Sequence, residues 1–310
     1  MGRSLATGWI WSRTVLLLAL ALVAVTMPAV VAADETGSGE GEMSRNLLFI
    51  HHSCGGQLLA DPGRQVGGER GSGRRCIYDH HPNGGGLRRL IEKRGFQVNE
   101  LSYESELGED TDIHHWRAKF TRHLAELKRT RRQDEMLPQG QENSVIAFKS
   151  CYPNNDYVGE GKMPGDPDSP ERTIANSKAA YIALLPVFEQ NPEILFIAVT
   201  PPPRAEPKPV GFKQKLKGLF KGKPKDADWA RQVNDWLVDS GEGWLADYPL
   251  PNVVVFDYYD VLTNHGASNW SEYPTGGGRD SHPSGEGNSL AAQEFMKVLD
   301  KGLAAMGRDF

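Results

Sequence analysis

The chain has 310 residues, of which 39% are hydrophobic and 24% are charged, a composition that excludes a largely disordered protein. Its formal net charge of −5 argues against a general nucleic-acid-binding protein. The length suits one large domain or two small ones.

The N-terminus has the pattern of an export signal. A charged start and an apolar run at 15–25 are followed by small residues at 29–33. This order predicts a signal peptide at residues 1–33, cleaved after Ala32 or Ala33. The apolar run is short for a membrane span, and an uncleaved anchor is the alternative. We therefore expect a secreted or periplasmic protein.

The rest of the chain alternates predicted strands with predicted helices. A Gly-, Glu- and Ser-rich tether at 34–44 is expected to precede a single domain at 45–310. Apolar runs predict strands at 46–52, 96–103, 144–149, 194–200 and 252–258. Helical spacing predicts helices around 87–91 and at 113–130, 171–190, 227–246 and 288–306. This alternation predicts an α/β fold: a three-layer α/β/α sandwich with a five-stranded parallel, flavodoxin-like sheet.

One segment, a predicted basic insertion at about 204–225, differs from its surroundings. It carries seven lysines, and its apolar residues have helical spacing. The pattern allows a basic amphipathic helix that contacts a membrane surface or an acidic polymer. Its glycines weaken such a helix, so we favour a solvated insertion whose apolar side rests on the domain.

A candidate nucleophile follows the first predicted strand. In an open α/β sheet, chemistry collects at the carboxyl ends of the strands, and Ser53 lies at that end of the first strand. Two glycines come next, and they allow backbone N–H groups, in particular that of Gly56, to approach a developing oxyanion. The alternative is an ordinary strand-to-loop turn.

A candidate general base lies near the other end of the chain. His282 is placed between the fifth predicted strand and the last helix, and it could take the proton of Ser53. Asp280 could orient the imidazole and stabilise its charged form. Asn154, which follows the third predicted strand, is the candidate side-chain donor to the oxyanion. Its competitors are Asn155 and Ser150.

These residues together resemble the SGNH/GDSL hydrolase superfamily. In that family a serine follows strand 1, an asparagine follows strand 3, and a histidine in a D-x-x-H block precedes the last helix. Ser53, Asn154 and the Asp280/His282 segment match in this order. The blocks read HHSCG, KSCYPN and D-x-H here, so the resemblance is to a divergent branch. For the glycine N–H of the family's second block, the candidates are Gly84, Gly85 and Gly86, with 110–112 as a second contender.

The resemblance implies a serine esterase or deacetylase that needs no cofactor. Its substrate would be a small acyl ester, such as an O-acetyl group on an extracellular carbohydrate, which it would hydrolyse or transfer. His52 and Asn155 are the expected substrate-binding residues. The alternative is a non-catalytic carbohydrate-binding or cell-envelope protein with the same fold, which would be favoured if Asp280 could not reach His282.

The remaining residues of interest are three cysteines, which could form a disulfide, and three histidine pairs, which could bind a metal. In an exported protein, Cys54, Cys76 and Cys151 allow at most one internal disulfide. A Cys54–Cys151 bridge is slightly favoured because both residues follow predicted strands, and a Cys54–Cys76 bridge is the alternative. The histidine pairs lack the spacing of known zinc motifs, so no metal site is predicted.

Overall fold

The computed structural model describes residues 45–208 and 226–308. The predicted signal peptide and tether lie outside the described residues, as does the basic insertion from residue 209 to residue 225. Within the described ranges, no helix has both the length and the apolar content needed to cross a membrane.

Strands and helices alternate along the described chain. In order, they are β1 (Asn46–Ile50), α1 (Cys54–Leu59), β2 (Asp61–Pro62), β3 (Val66–Gly67), β4 (Tyr78–His81), α2 (Leu87–Lys93), β5 (Gln97–Leu101), a 3₁₀ turn (Ile113–His115), α3 (Trp116–Arg129), β6 (Thr130–Arg132), β7 (Glu135–Met136), β8 (Val145–Lys149), a second 3₁₀ turn (Tyr152–Asn155), α4 (Ile174–Ile182), α5 (Leu185–Glu189), β9 (Leu195–Val199), α6 (Asp226–Val238), β10 (Val253–Phe256), α7 (Tyr258–Leu262), β11 (Pro274–Thr275), β12 (Asp280–Pro283) and α8 (Gly285–Ala305).

The predicted α/β class agrees with the structure, but the central sheet is larger than expected. It has seven strands in the order β10-β9-β8-β1-β5-β6-β7. The first six strands are parallel to one another, whereas β7 pairs antiparallel with β6, so the sheet is mixed. The β6–β7 hairpin escaped prediction because its two strands are short and mostly polar. The pairing of β6 with β5, and of β7 with β6, supplies the stabilisation that the local sequence lacks.

Both faces of the sheet are covered, which explains why its central strands are continuous apolar runs. Along β1, Leu47 and Phe49 join one hydrophobic cluster, in which Phe295 of α8 also lies. Leu48 and Ile50 join the other cluster, which contains Trp116 of α3. Side chains alternate between the faces of a strand, so one apolar run contributes to both clusters.

The predicted helix at 171–190 is two helices in the structure. α4 ends at Ile182, and α5 begins at Leu185 with Pro186 in its first turn. Proline lacks the N–H that would continue the α4 ladder, so it starts a new helix instead. The predicted helix at 227–246 is also shorter, since α6 ends at Val238, ahead of Gly241 and Gly243.

Two small sheets bring further loops to the domain. β2, β3 and β4 form a three-stranded sheet within the long loop that follows α1. β11 and β12 form an antiparallel pair directly before α8. Because β12 holds Asp280 and His282, this pair positions the candidate base segment.

Candidate active site at the carboxyl edge of the sheet

Ser53 lies between β1 and α1, where the backbone turns from strand into helix. The glycines that follow are required by packing. A side chain at Gly55 would overlap that of His51, and one at Gly56 would overlap the carbonyl oxygen of Cys76. Ser53 is partly exposed, and its Oγ lies 3.2 Å from Cys151 Sγ. This contact arises because Ser53 and Cys151 follow the neighbouring parallel strands β1 and β8.

Cys151 also contacts Cys54. The two Sγ atoms lie 3.6 Å apart, and all three cysteines are free thiols. The predicted Cys54–Cys151 disulfide therefore stays a prediction, although the two thiols are neighbours. Burial raises the pKa of Cys54 well above its usual value. The hydrogen bond with Cys54 holds the pKa of Cys151 well below its usual value, even though burial opposes this. These two directions favour Cys151, beside the Ser53 hydroxyl, as the thiol of the pair that loses its proton first.

Asp280 reaches His282 directly. Its Oδ1 lies 2.6 Å from His282 Nδ1 and accepts the His282 backbone N–H at 3.1 Å. Both residues lie on β12, where positions two apart face the same side, so a D-x-H spacing is sufficient for the contact. Desolvation alone would raise the pKa of the Asp280 carboxyl. The hydrogen bonds from His282 outweigh it and hold that pKa below its usual value.

Ser53 and His282 lie at the same rim, linked by the loop after β8. The ring of Tyr152, the neighbour of Cys151, packs edge-on against the His282 ring with 5.3 Å between centroids. Within the described residues, Ser53 Oγ has its hydrogen bond with Cys151, and no hydrogen bond joins it to His282. Nucleophile–base bonds in enzymes without substrate are often long and tighten when substrate binds.

The two asparagines after β8 are committed to other protein groups. Asn154 Nδ2 donates to Asp112 Oδ1 at 2.8 Å and to Cys151 O at 3.2 Å, while its Oδ1 accepts the Ile113 N–H at 2.9 Å. The predicted role of Asn154 as oxyanion donor does not fit this arrangement, because both of its amide protons are used. The sequence could not reveal this, since Asp112 lies 42 positions away.

Asn155, a predicted substrate-binding residue, is likewise buried and satisfied. Its Nδ2 donates to Pro201 O and Pro202 O, both at 2.9 Å, and its Oδ1 accepts from Asn234 Nδ2 at 3.0 Å. The side chain therefore ties the end of β9 to α6, and none of its polar atoms is left for a substrate.

His52, the other predicted substrate-binding residue, is also buried. Its Nε2 lies 2.8 Å from Gly108 O, its Nδ1 lies 2.8 Å from Thr111 Oγ1, and its ring stacks on Tyr103. Desolvation lowers the pKa of His52 to about 3, so the ring is neutral at physiological pH. These contacts give His52 a structural role, and its predicted role in substrate binding stays a prediction.

The glycine-rich segment after β4 offers no free donor either. The N–H groups of Gly84, Gly85 and Gly86 donate to the carbonyls of His81, Gln57 and Ala60. By contrast, the N–H of Gly56 has no carbonyl partner in the described part of the chain. It belongs to the first turn of α1, where N–H groups lack helical acceptors. Of the predicted oxyanion donors, Gly56 is the one that fits.

A buried charged network supports β1 and β5 beside the site. His51 Nε2 lies 3.0 Å from Glu100 Oε1, and Arg88 pairs with the other oxygen of Glu100. Burial opposes ionisation of Glu100, but Arg88 and then His51 overcome it and lower its pKa to about 2. Burial lowers the pKa of His51. This network was not predicted. The only indication of it in the sequence is that charged and polar residues lie within or next to apolar strands.

No protein-family model matches the chain, and no curated protein matches it significantly.

Proposed function

We propose that the protein is an exported serine hydrolase of SGNH type that cleaves, or transfers, a small acyl ester. An O-acetyl group on a carbohydrate is the substrate class that we favour. The observation that carries the proposal is the 2.6 Å contact between Asp280 and His282 at the rim that also holds Ser53. Had the D-x-H spacing kept these side chains apart, a non-catalytic carbohydrate-binding or cell-envelope protein would have been the better proposal.

The topology supports this proposal. The strand order β5-β1-β8-β9-β10 within the sheet follows the flavodoxin-like pattern 2-1-3-4-5. Helices α1, α2 and α8 contribute to one hydrophobic cluster, and α3, α4 and α6 contribute to the other. We therefore interpret the domain as a three-layer α/β/α sandwich whose parallel core is extended by β6 and β7.

In the proposed reaction, Ser53 Oγ attacks the acyl carbonyl carbon while His282 takes the hydroxyl proton. Asp280 stabilises the imidazolium, and the Gly56 N–H donates to the oxyanion. His282 then gives its proton to the departing alcohol as the ester bond breaks. Water, or a second alcohol, releases the acyl group from Ser53 in the second half of the cycle.

The proposal is tested by hydrolysis of p-nitrophenyl acetate. Ser53→Ala and His282→Ala should each abolish turnover, and the double variant should be no worse than either single one, because the two residues act as a unit. The matched control is His265→Ala, since His265 Nδ1 forms a similar contact of 2.9 Å with Asp260 away from Ser53. Full activity in a folded Ser53→Ala protein would remove the assignment.

A further inference from the structure

The segment before α3 gathers three metal-ligating residues at the edge of the candidate site. Asp112 directly precedes the 3₁₀ turn that carries His114 and His115. One ligand atom from each of these three residues lies within 4.8 Å of the others. Among the described residues, no other group of three or more histidine, cysteine or carboxylate side chains is gathered in this way.

We propose that Asp112, His114 and His115 bind a divalent zinc ion. Two imidazoles and one carboxylate form a ligand set typical of Zn²⁺, whereas Ca²⁺ and Mg²⁺ prefer oxygen ligands alone. Zn–N and Zn–O bonds of about 2.0–2.2 Å place tetrahedral ligand atoms about 3.4 Å apart. The ligand atoms, which lie within 4.8 Å of one another, would therefore have to approach by up to about 1.4 Å when the ion binds.

The local backbone explains why neighbouring histidines can cooperate here. Histidines at adjacent positions of a strand point to opposite faces, but these two lie on a 3₁₀ turn, and their ring centroids are 3.8 Å apart. The turn is fixed by reciprocal hydrogen bonds: the Asp112 carboxylate accepts the His115 N–H, and the Asp112 N–H donates to His115 Nδ1 at 3.3 Å. His115 Nε2 therefore remains as the ligand atom of that ring.

Neighbouring groups complete the site. Asn154 Nδ2 donates to Asp112 Oδ1 at 2.8 Å and so orients the carboxylate, as outer partners do in known metal sites. Asp110 Oδ1 lies 3.8 Å from His115 Nε2, close enough to become a fourth ligand. All three proposed ligands are partly exposed, so the ion can enter from solvent.

A metal ion bound here would affect the residues beside the candidate active site, but it would take no part in the proposed reaction. Asp112 contacts Asn154, and the adjacent Thr111 contacts His52 through Nδ1 at 2.8 Å. An ion would therefore fix the segment that contacts Asn154 and His52, two buried residues beside the site. The inference does not depend on the proposed esterase activity.

The test is titration of metal-free full-length protein with ZnCl₂, followed by calorimetry. We expect one equivalent to bind and the unfolding temperature to rise, because a ligand that binds only the folded state stabilises it. His114→Ala and His115→Ala should each weaken binding by at least about tenfold. His123→Ala is the matched control, since His123 lies on α3 and pairs with Glu126 at 3.7 Å; its affinity should equal that of the wild type.

Two further measurements keep the test decisive. Asp112→Asn preserves the cap of the turn, because asparagine caps helices as well as aspartate does, but it removes the charged ligand and should still weaken binding. Cobalt(II) in place of zinc should give a visible spectrum of a tetrahedral nitrogen–oxygen site. Absence of zinc binding tighter than about 100 µM, a range loose for a protein zinc site, would overturn the proposal. So would a cobalt–thiolate charge-transfer band, or unchanged affinity in the folded histidine variants.

Discussion

At the scale of single residues, the Ser53 hydroxyl contacts a cysteine thiol, and it makes no hydrogen bond with His282 in the described part of the chain. The thiol is that of Cys151, whose pKa is lowered by the hydrogen bond with Cys54, while burial raises the pKa of Cys54 itself. Thiolates, not thiols, react with alkylating agents, so the two neighbouring cysteines should differ strongly in reactivity.

We predict that iodoacetamide modifies Cys151 first in the reduced protein at neutral pH. Cys54 and Cys76 are both buried, and burial raises the pKa of each. Peptide mapping after brief treatment measures the order of modification, and Cys151→Ser should leave the other two cysteines largely unmodified. Faster modification of Cys54 or Cys76 would contradict the assignment of the thiolate to Cys151.

At the scale of secondary-structure elements, the asparagines after β8 act as connectors. Asn155 alone joins the second 3₁₀ turn, the residues after β9, and α6. These contacts hold the loop that carries Cys151 and Tyr152 in place at the rim of the site.

We expect Asn155→Ala to destabilise the fold by about 2–4 kcal/mol, because two buried carbonyls lose their donor and Asn234 Nδ2 keeps only its bond to Ala230 O. Urea denaturation followed by circular dichroism measures the loss. Gln141→Ala, at an exposed amide residue, should change stability by less than about 0.5 kcal/mol. Equal stability of Asn155→Ala and the wild type would show that the three contacts do not hold these elements together.

The strands that carry the site could be predicted because local sequence determines them. β1, β8 and β9 are apolar runs that are buried on both faces. Partners distant in sequence could not be predicted, since no local pattern joins His52 to Gly108 or Asn154 to Asp112. The residue types therefore led to Asp280 and His282, which are in contact, but they gave no sign that the polar groups of Asn154, Asn155 and His52 bond to other parts of the protein.

At the scale of the whole molecule, buried ionisable groups determine how stability varies with pH. His51 and His52 have pKa values lowered by burial, that of His52 to about 3, so the unfolded chain binds their protons first as the pH falls. Asp257 acts in the opposite direction, because burial raises its pKa to about 6 and the folded state binds its proton first. Burial also lowers the pKa values of His81 and His114. Between about pH 6 and pH 4.5, these four histidines outweigh the one carboxyl.

We therefore predict that the free energy of unfolding falls as the pH is lowered from 6 to 4.5, with a slope of about 1.4 kcal/mol per pH unit for each net proton that the unfolded chain binds. Below about pH 4.5 Glu100 adds a further loss, since its folded pKa is about 2 and its stabilising charge is lost as the pH falls towards that value. Urea denaturation at a series of pH values measures the slope. His52→Gln should flatten it, and a stability that rises on acidification would contradict the prediction.

The central claim, that Ser53 is an activated nucleophile, is tested most directly by covalent labelling. The full-length protein is treated with a serine-reactive fluorophosphonate, and the labelled peptide is identified by mass spectrometry. We expect label on Ser53 in the wild type, almost none in His282→Ala, and undiminished label in His265→Ala. Label on another residue, or a folded wild-type protein that takes up no label at Ser53, would contradict it.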